Sequence, residues 1–99
     1  MALPVIFRPE ALDDLTAAYE WYEEKQPGLG RDFMAAVEEK LDHLSANPKQ
    51  YQQLRGPIRR AITLHFPYGI FFIESKERIT VIAVLHHARH PKHWRARAR

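Results

Sequence analysis

The chain contains no cysteine. That excludes thiol nucleophiles, disulfide staples and every metal site built on a thiolate, and it fits a reducing compartment such as the cytosol. No apolar run approaches the roughly 20 residues of a membrane span. The opening MALPVIFRPE lacks the basic n-region and the long apolar stretch that a secretory signal needs. Repeats, low-complexity tracts and linkers are also missing, so the expectation is one cytoplasmic domain over residues 1–99 with a single modest core. Acidic residues are scarce in one half only. Residues 1–50 hold five Lys/Arg against ten Asp/Glu, a balance of −5, whereas residues 51–99 hold ten against two, a balance of +8. The net charge of +3 therefore hides a divided chain, and the basic half implies an anionic partner.

What is present is periodicity. LPVIF is a short β-branched run that reads as a strand. Pro9 suits the first position of a helix, with Glu10, Asp13 and Asp14 near the positive end of its dipole. Leu12, Leu15, Tyr19 and Tyr22 then recur at helical spacing, with Ala11 and Ala18 on the same stripe and Trp21 as a further packing aromatic. KQPGLG breaks this helix, with Gly28 and Gly30 as turn glycines. A second helix carries Phe33, Val37, Leu41 and Leu44 on one face and stops before Pro48. So short a link makes the two helices an antiparallel hairpin.

From Ile58 onwards the period changes to two. IRRAITLHF places Ile58, Ile62, Leu64 and Phe66 on one face and Arg59, Thr63 and His65 on the other. Arg60 falls in the inward register, where a carboxylate partner is expected. IFFIE and ITVIAVLH are two more strands joined by the hairpin-sized SKER. The expected fold is α+β: an N-terminal strand, an antiparallel helical hairpin, a three-stranded antiparallel meander with the helices on one sheet face, and a short basic C-terminal tail. Its core between hairpin and sheet should comprise Leu12, Leu15, Tyr19, Phe33, Val37, Leu41, Ile62, Leu64, Phe71, Ile82 and Val84.

The last fifteen residues, LHHARHPKHWRARAR, gather His86, His87, His90 and His93 among Arg89, Lys92, Arg95, Arg97 and Arg99. Three chemistries compete for them. A metal site is disfavoured: strand neighbours such as His86 and His87 should point to opposite faces, Pro91 breaks any helical His pair, and no acid stands near to orient a ligand. Proton transfer is open to histidine near neutral pH. Docking on an anionic surface needs only the cations, and it ranks first.

Six segments taken in order, FRPEALDDL, AYEWYE, PGLGRDF, NPKQY, IRRAITLHFPYGIFF and VIAVLHHARHPKHW, resemble the RelE/ParE superfamily of bacterial type II toxin–antitoxin toxins. They are most similar to the ParE-like branch, often labelled plasmid stabilisation proteins. The resemblance implies a small mixed-sheet toxin without a cofactor. It also implies a cognate acidic antitoxin that wraps and neutralises it, and contact with operator DNA only through that antitoxin. ParE-like members act on DNA gyrase and arrest growth without catalysis of their own, whereas RelE-like members cut mRNA on the ribosome.

For the ribonuclease branch the candidate catalytic set is Arg59, Arg60, His86 and Arg89, the last two forming its H-x-x-R signature. This chain departs from that branch twice. Gly69 follows Tyr68 where an arginine is expected, and Trp94 stands near the place of a catalytic tyrosine. The expectation is therefore a ParE-like gyrase inhibitor. Arg59, Arg60, Arg89, Lys92, Trp94, Arg95 and Arg97 are its target- and antitoxin-binding residues, with no metal. A ribosome-dependent mRNA endonuclease and an inactive antitoxin-binding relative are the alternatives.

Overall fold

Arg8 is extended (φ −69°, ψ 153°), and Pro9 at the next position turns the chain into helix α1, Pro9–Lys25. In this computed structural model, which describes residues 2–88 and 91–98, α1 follows strand β1 (Val5–Phe7) and leads into helix α2 (Leu29–Ala46). Gly28 makes the link with φ 92°, a left-handed conformation open to glycine. Gly30 is not a turn glycine. It lies in the first turn of α2, where a β-carbon would sit 2.9 Å from the carbonyl oxygen of Tyr19, so the hairpin closes only because nothing projects there. The Glu23 carboxylate then accepts hydrogen bonds from the amides of Gly28 at 2.9 Å and Gly30 at 3.0 Å. It thereby satisfies donors at the start of α2, where negative charge is favoured.

The remaining chain forms strands β2 (Gln52–Arg55), β3 (Ile58–Ile62), β4 (Tyr68–Glu74) and β5 (Ile79–His86), then a short helix α3 (Lys92–Arg95). The sheet order is β1-β5-β4-β3-β2. β1 runs parallel to β5, and every other pair is antiparallel. The meander thus has four strands rather than three, because QQLR adds an edge strand. A bulge at Ile82 separates the Phe71–Ala83 and Phe72–Val81 pairs and changes which face the following β5 residues occupy.

Apolar residues bury both faces of this sheet. The helical hairpin covers one with Phe33, Val37 and Leu44 against Ala61, Ile70, Phe72, Val81 and Val84. On the other, Ile58, Phe71, Ile82, Ala83 and Leu85 meet Trp94 of α3. Phe71 and Ile82 are therefore core residues, but on the face away from the hairpin.

Four of the expected core residues are exposed. α1 is rotated so that Ala11, Ala18 and Tyr22 face the sheet, with Leu15 beside them, while Leu12 is 49% and Tyr19 38% exposed. Alanines two turns apart let the helix axis approach the sheet closely, and that closeness decides which stripe is buried. Ile62 and Leu64 are 42% and 52% exposed. β3 ends at Ile62, so alternation does not continue through the turn, where the Thr63 hydroxyl instead donates to Phe66 O at 2.7 Å.

Replacing Leu44 by alanine should lower stability by about 2–5 kcal/mol, whereas Leu12→Ala should stay within about 0.5 kcal/mol. Urea midpoints measure both, and a Leu12→Ala loss as large as that of Leu44→Ala would mean that α1 faces the sheet along its other stripe.

Candidate functional site

β1 pairs with β5 only from Ile79 to Val81. The last main-chain bond on that edge runs from Arg8 N to Val81 O at 3.0 Å. From Ile82 onwards β5 has no strand on its outer side, and backbone groups there need other partners. Asp14, one turn and a half into α1, supplies the first by accepting from Val84 N at 3.0 Å. The same carboxylate binds Arg97 in a fork. Nη1 donates to Oδ2, and Nη2 lies 3.3 Å from Oδ1. Arg97 Nη1 also donates to Ile82 O at 3.3 Å, and Arg8 Nη1 donates to the carbonyl of Arg97. Side-chain exposures of 24% for Arg97 and 13% for Asp14 keep this ionic fork largely out of water, where such paired contacts are strong. The clasp ties α1, β5 and the C-terminal segment together.

Past the clasp, the Val84–His86 edge borders a cleft of about 550 Å³. Asp14, Ala17, Ala18 and Trp21 form its α1 wall, and Tyr68 and His86 lie opposite. Trp21 is 53% exposed at its mouth, and Lys25 Nζ sits 4.7 Å from its ring centroid. Beneath lies an aromatic cluster. Tyr22 packs 5.3 Å from Phe33, 4.9 Å from Phe66 and 5.9 Å from Tyr68, centroid to centroid. Burial, and secondarily the neighbouring Tyr68, pushes the Tyr22 phenol above its ordinary value, and burial alone does the same to Tyr51.

The candidate site residues are dispersed. Arg59 points to the helix side of the sheet and donates to Tyr51 O at 2.8 Å. Arg60 points to the other side, where its Nη2 reaches Gln52 Oε1 at 3.5 Å, a neutral partner instead of the expected carboxylate. His86 lies in the α1–β5 cleft, 5.6 Å from the Tyr68 ring, with Nδ1 accepting from Ala88 N at 3.1 Å. Arg89, His90 and Arg99 lie outside the described residues. The candidate catalytic set is thus not brought together by the residues described.

In the docking set, Trp94 is buried and stacked on Phe71 at 5.3 Å and 21°. Arg97 is held in the clasp, while Lys92 and Arg95 are exposed on α3. His86 and His87 do not oppose each other. The strand ends at His86, so alternation lapses and the two rings stack at 5.0 Å. Among the described residues no group of three or more His, Asp or Glu side chains is placed to hold a metal ion, and no helix is long and apolar enough to cross a membrane.

The sequence reading missed the clasp. In the sequence Asp14 reads as a helix-dipole acid and Arg97 as a surface cation, and 83 positions separate them. The only signal was an acid in a cluster of two, Asp13 and Asp14, on the turn that must face the sheet.

The family model described as ParE toxin of type II toxin-antitoxin system, parDE, matches residues 5–91. No curated protein matches the chain. Among solved structures, the fold is similar to one titled "Chromosomal ParDE TA system from P. aeruginosa". The likeness covers 86% of this chain and 96% of that chain, at 16% identity and a TM-score of 0.75, which bears on the fold alone.

Two measurements check the site geometry. Asp14→Ala should cost about 1–3 kcal/mol by leaving Val84 N and Arg97 without their acceptor. A double-mutant cycle with Arg97→Ala should show coupling of about 1 kcal/mol, and strictly additive losses would contradict the clasp. For Tyr22, the unfolded phenol ionises near pH ~10 while the folded one stays protonated to higher pH. Its contribution to stability is therefore complete below ~10 and declines above it. Urea midpoints should fall as the pH rises above about 10, less steeply in Tyr22→Phe.

Proposed function

This chain belongs to the family of ParE toxins of type II toxin–antitoxin systems, and from that premise we propose that it arrests growth by inhibiting DNA gyrase, without cleaving RNA, until a cognate acidic antitoxin neutralises it. The observation that carries the non-catalytic reading is Gly69. A β-carbon there would lie 3.1 Å from Arg60 Cδ and 3.1 Å from Phe71 Cε1. The position where the ribonuclease branch carries an arginine is thus filled by its neighbours. Two further features support the reading. Arg59 and Arg60 project from opposite faces of β3, so they do not converge on one phosphate. Trp94 is a buried apolar plug with no ionisable group.

The antitoxin reading rests on the α1–β5 cleft. An extended segment entering it meets the strand-free edge of β5 beyond the Asp14-held Val84 amide, the exposed ring of Trp21 and the apolar floor over Tyr22 and Tyr68. Main-chain bonding to such an edge supplies affinity, and the side-chain pockets supply specificity. Acidic residues flanking the segment would steer it toward the basic half, so association should be fast and salt-sensitive.

Gyrase supercoiling and mRNA integrity on programmed ribosomes, each with added purified protein, test the target. Supercoiling should be inhibited and message left intact, and His86→Ala should inhibit within about threefold of the parent, since loss of a true acid or base costs about 10²–10⁴. Site-specific cuts in ribosome-bound message that vanish in His86→Ala would replace gyrase with the ribosome. The antitoxin is tested by co-expression with the product of the adjacent gene. The two should elute together on size exclusion at moderate salt, and free separation would contradict the docking.

A further inference from the structure

The turn that joins β3 to β4 stands between two clefts of opposite charge. On one side, a cleft of about 540 Å³ is lined by Arg60, His65 and His87 with exposed Ile62, and by no carboxylate. On the other, a cleft of about 550 Å³ is lined by exposed Leu64 and by Glu39 and Asp42 of α2. We infer that the turn and its two flanks form a self-complementary surface, on which a second copy of this chain docks about a two-fold axis. This goes beyond the choice of target and antitoxin and rests on neither. Two exposed apolar side chains alone would carry no such conclusion; the opposite charges on their flanks do.

The charges on both flanks are available. Glu39 and Asp42 are three positions apart and share one face of α2. Both are exposed, and neither forms an ion pair among the described residues. Lys40 and His43 line the same cleft but are turned to Tyr51. Lys40 Nζ lies 6.0 Å from its ring centroid, and His43 Nδ1 bonds its hydroxyl. On the basic flank, Arg60 meets the neutral Gln52 Oε1 at 3.5 Å, which leaves its charge uncompensated. Its stem lies across Gly69, where a β-carbon would stand 3.1 Å from Cδ. An arginine already laid down presents its planar fork to a carboxylate with little further ordering.

The turn between the flanks is rigid before any partner arrives. The Thr63 amide donates to Tyr68 O at 3.0 Å, and its hydroxyl donates to Phe66 O at 2.7 Å. The Phe66 ring is anchored inside, 4.9 Å from Tyr22 and 5.5 Å from Phe33. His65 takes a left-handed conformation, φ 67°, which side chains with a β-carbon rarely adopt. These anchors hold Ile62 and Leu64 out to solvent on either side of buried Thr63. Apolar side chains on a fixed backbone lose little freedom on docking.

A two-fold axis through the turn satisfies both flanks at once. It lays Ile62 and Leu64 of one copy on those of the other, and it carries Arg60 of each copy onto Glu39 and Asp42 of the other. Every contact then occurs twice, as isologous pairing requires. A head-to-tail contact would leave one basic and one acidic flank open and add copies without closing. The two clefts have fewer lining residues than the roughly 20–30 a side of a standard interface, so the dimer is weak and salt-sensitive. The α1–β5 cleft shares only Pro67 with this surface.

Sedimentation velocity on the full chain, from micromolar to hundreds of micromolar and at low and high salt, reads the association. A monomer–dimer equilibrium should appear with a midpoint in the tens of micromolar at low salt, and it should weaken as salt rises. Leu64→Asp, at an exposed position, should weaken it at least about tenfold by burying an unpaired charge. Arg60→Glu and the double variant Glu39→Arg with Asp42→Arg each place like charges across the axis, so each should stay monomeric alone. Mixed together, these two should dimerise as the parent does, because every contact between them is again of opposite sign. A parent chain that stays monomeric throughout would overturn the inference, as would charge variants that stay apart when mixed. Masses that climb past the dimer would replace it with a head-to-tail chain. Loss of the complex with the adjacent gene product in Leu64→Asp would overturn it by giving the surface to that partner.

Discussion

Strand β5 loses its parallel neighbour halfway along its length, and the rest of the molecule is arranged around that loss. β1 is three residues long and ends at Phe7, so β5 continues past Val81 with its outer main-chain groups unserved. A buried amide or carbonyl without a partner costs about 1–3 kcal/mol. The fold meets the demand with side chains from two distant places, Asp14 from α1 and Arg97 from the C-terminal segment. This single substitution of a carboxylate and a guanidinium for a strand does three things. It fixes how α1 sits on the sheet, it fastens the tail, and it leaves a short open edge beyond Val84 beside an apolar groove.

The tail is consequently part of the fold as well as a carrier of charge. Trp94 closes the apolar cluster on the second face of the sheet, and Arg97 locks the clasp. Charge that looks like one basic surface in the sequence is divided by the structure. Arg97 is neutralised by Asp14, Arg59 is turned toward the helices, and Lys92 and Arg95 are displayed on α3. Arg60 stands apart from these, on the second face, in a cleft with two histidines. The two clefts differ in chemistry: one offers an open strand edge and an exposed tryptophan, the other offers cations beside exposed Ile62.

How much of this was legible depended on how local each feature is. α2 was readable because Phe33, Val37 and Leu44 are large and repeat at helical spacing on the buried face. α1 was readable as a helix but not in rotation, since the residues that let it approach the sheet are alanines, and a hydrophobic pattern gives them less weight than Leu12 and Tyr19. β2 was missed because QQLR is a polar edge strand without alternation. The far-face core was missed because residues 70–73, IFFI, are all apolar and do not reveal that Phe71 and Ile73 face away from Ile70 and Phe72. The family resemblance rested on segments spread along the chain, and the match over residues 5–91 agrees with it. The clasp and the Arg60 cleft were illegible for a simpler reason. The clasp joins Asp14 to Arg97 across the chain, and the cleft is shaped by an irregular turn at 62–67 with His87 brought beside it, and neither leaves a period to read.

Hydrogen–deuterium exchange on the toxin alone and bound to the product of its adjacent gene tests the central claim most directly, since the claim is that the open edge of β5 is where the partner is received. The account predicts that binding slows exchange at the amide of His86, the one on this edge that neither Asp14, Pro67 nor β4 already holds, and reduces solvent access along the Ala17–Trp21 wall of α1. Protection confined to the β2 edge and the turn after β3, with His86 exchanging as in the free protein, would contradict it.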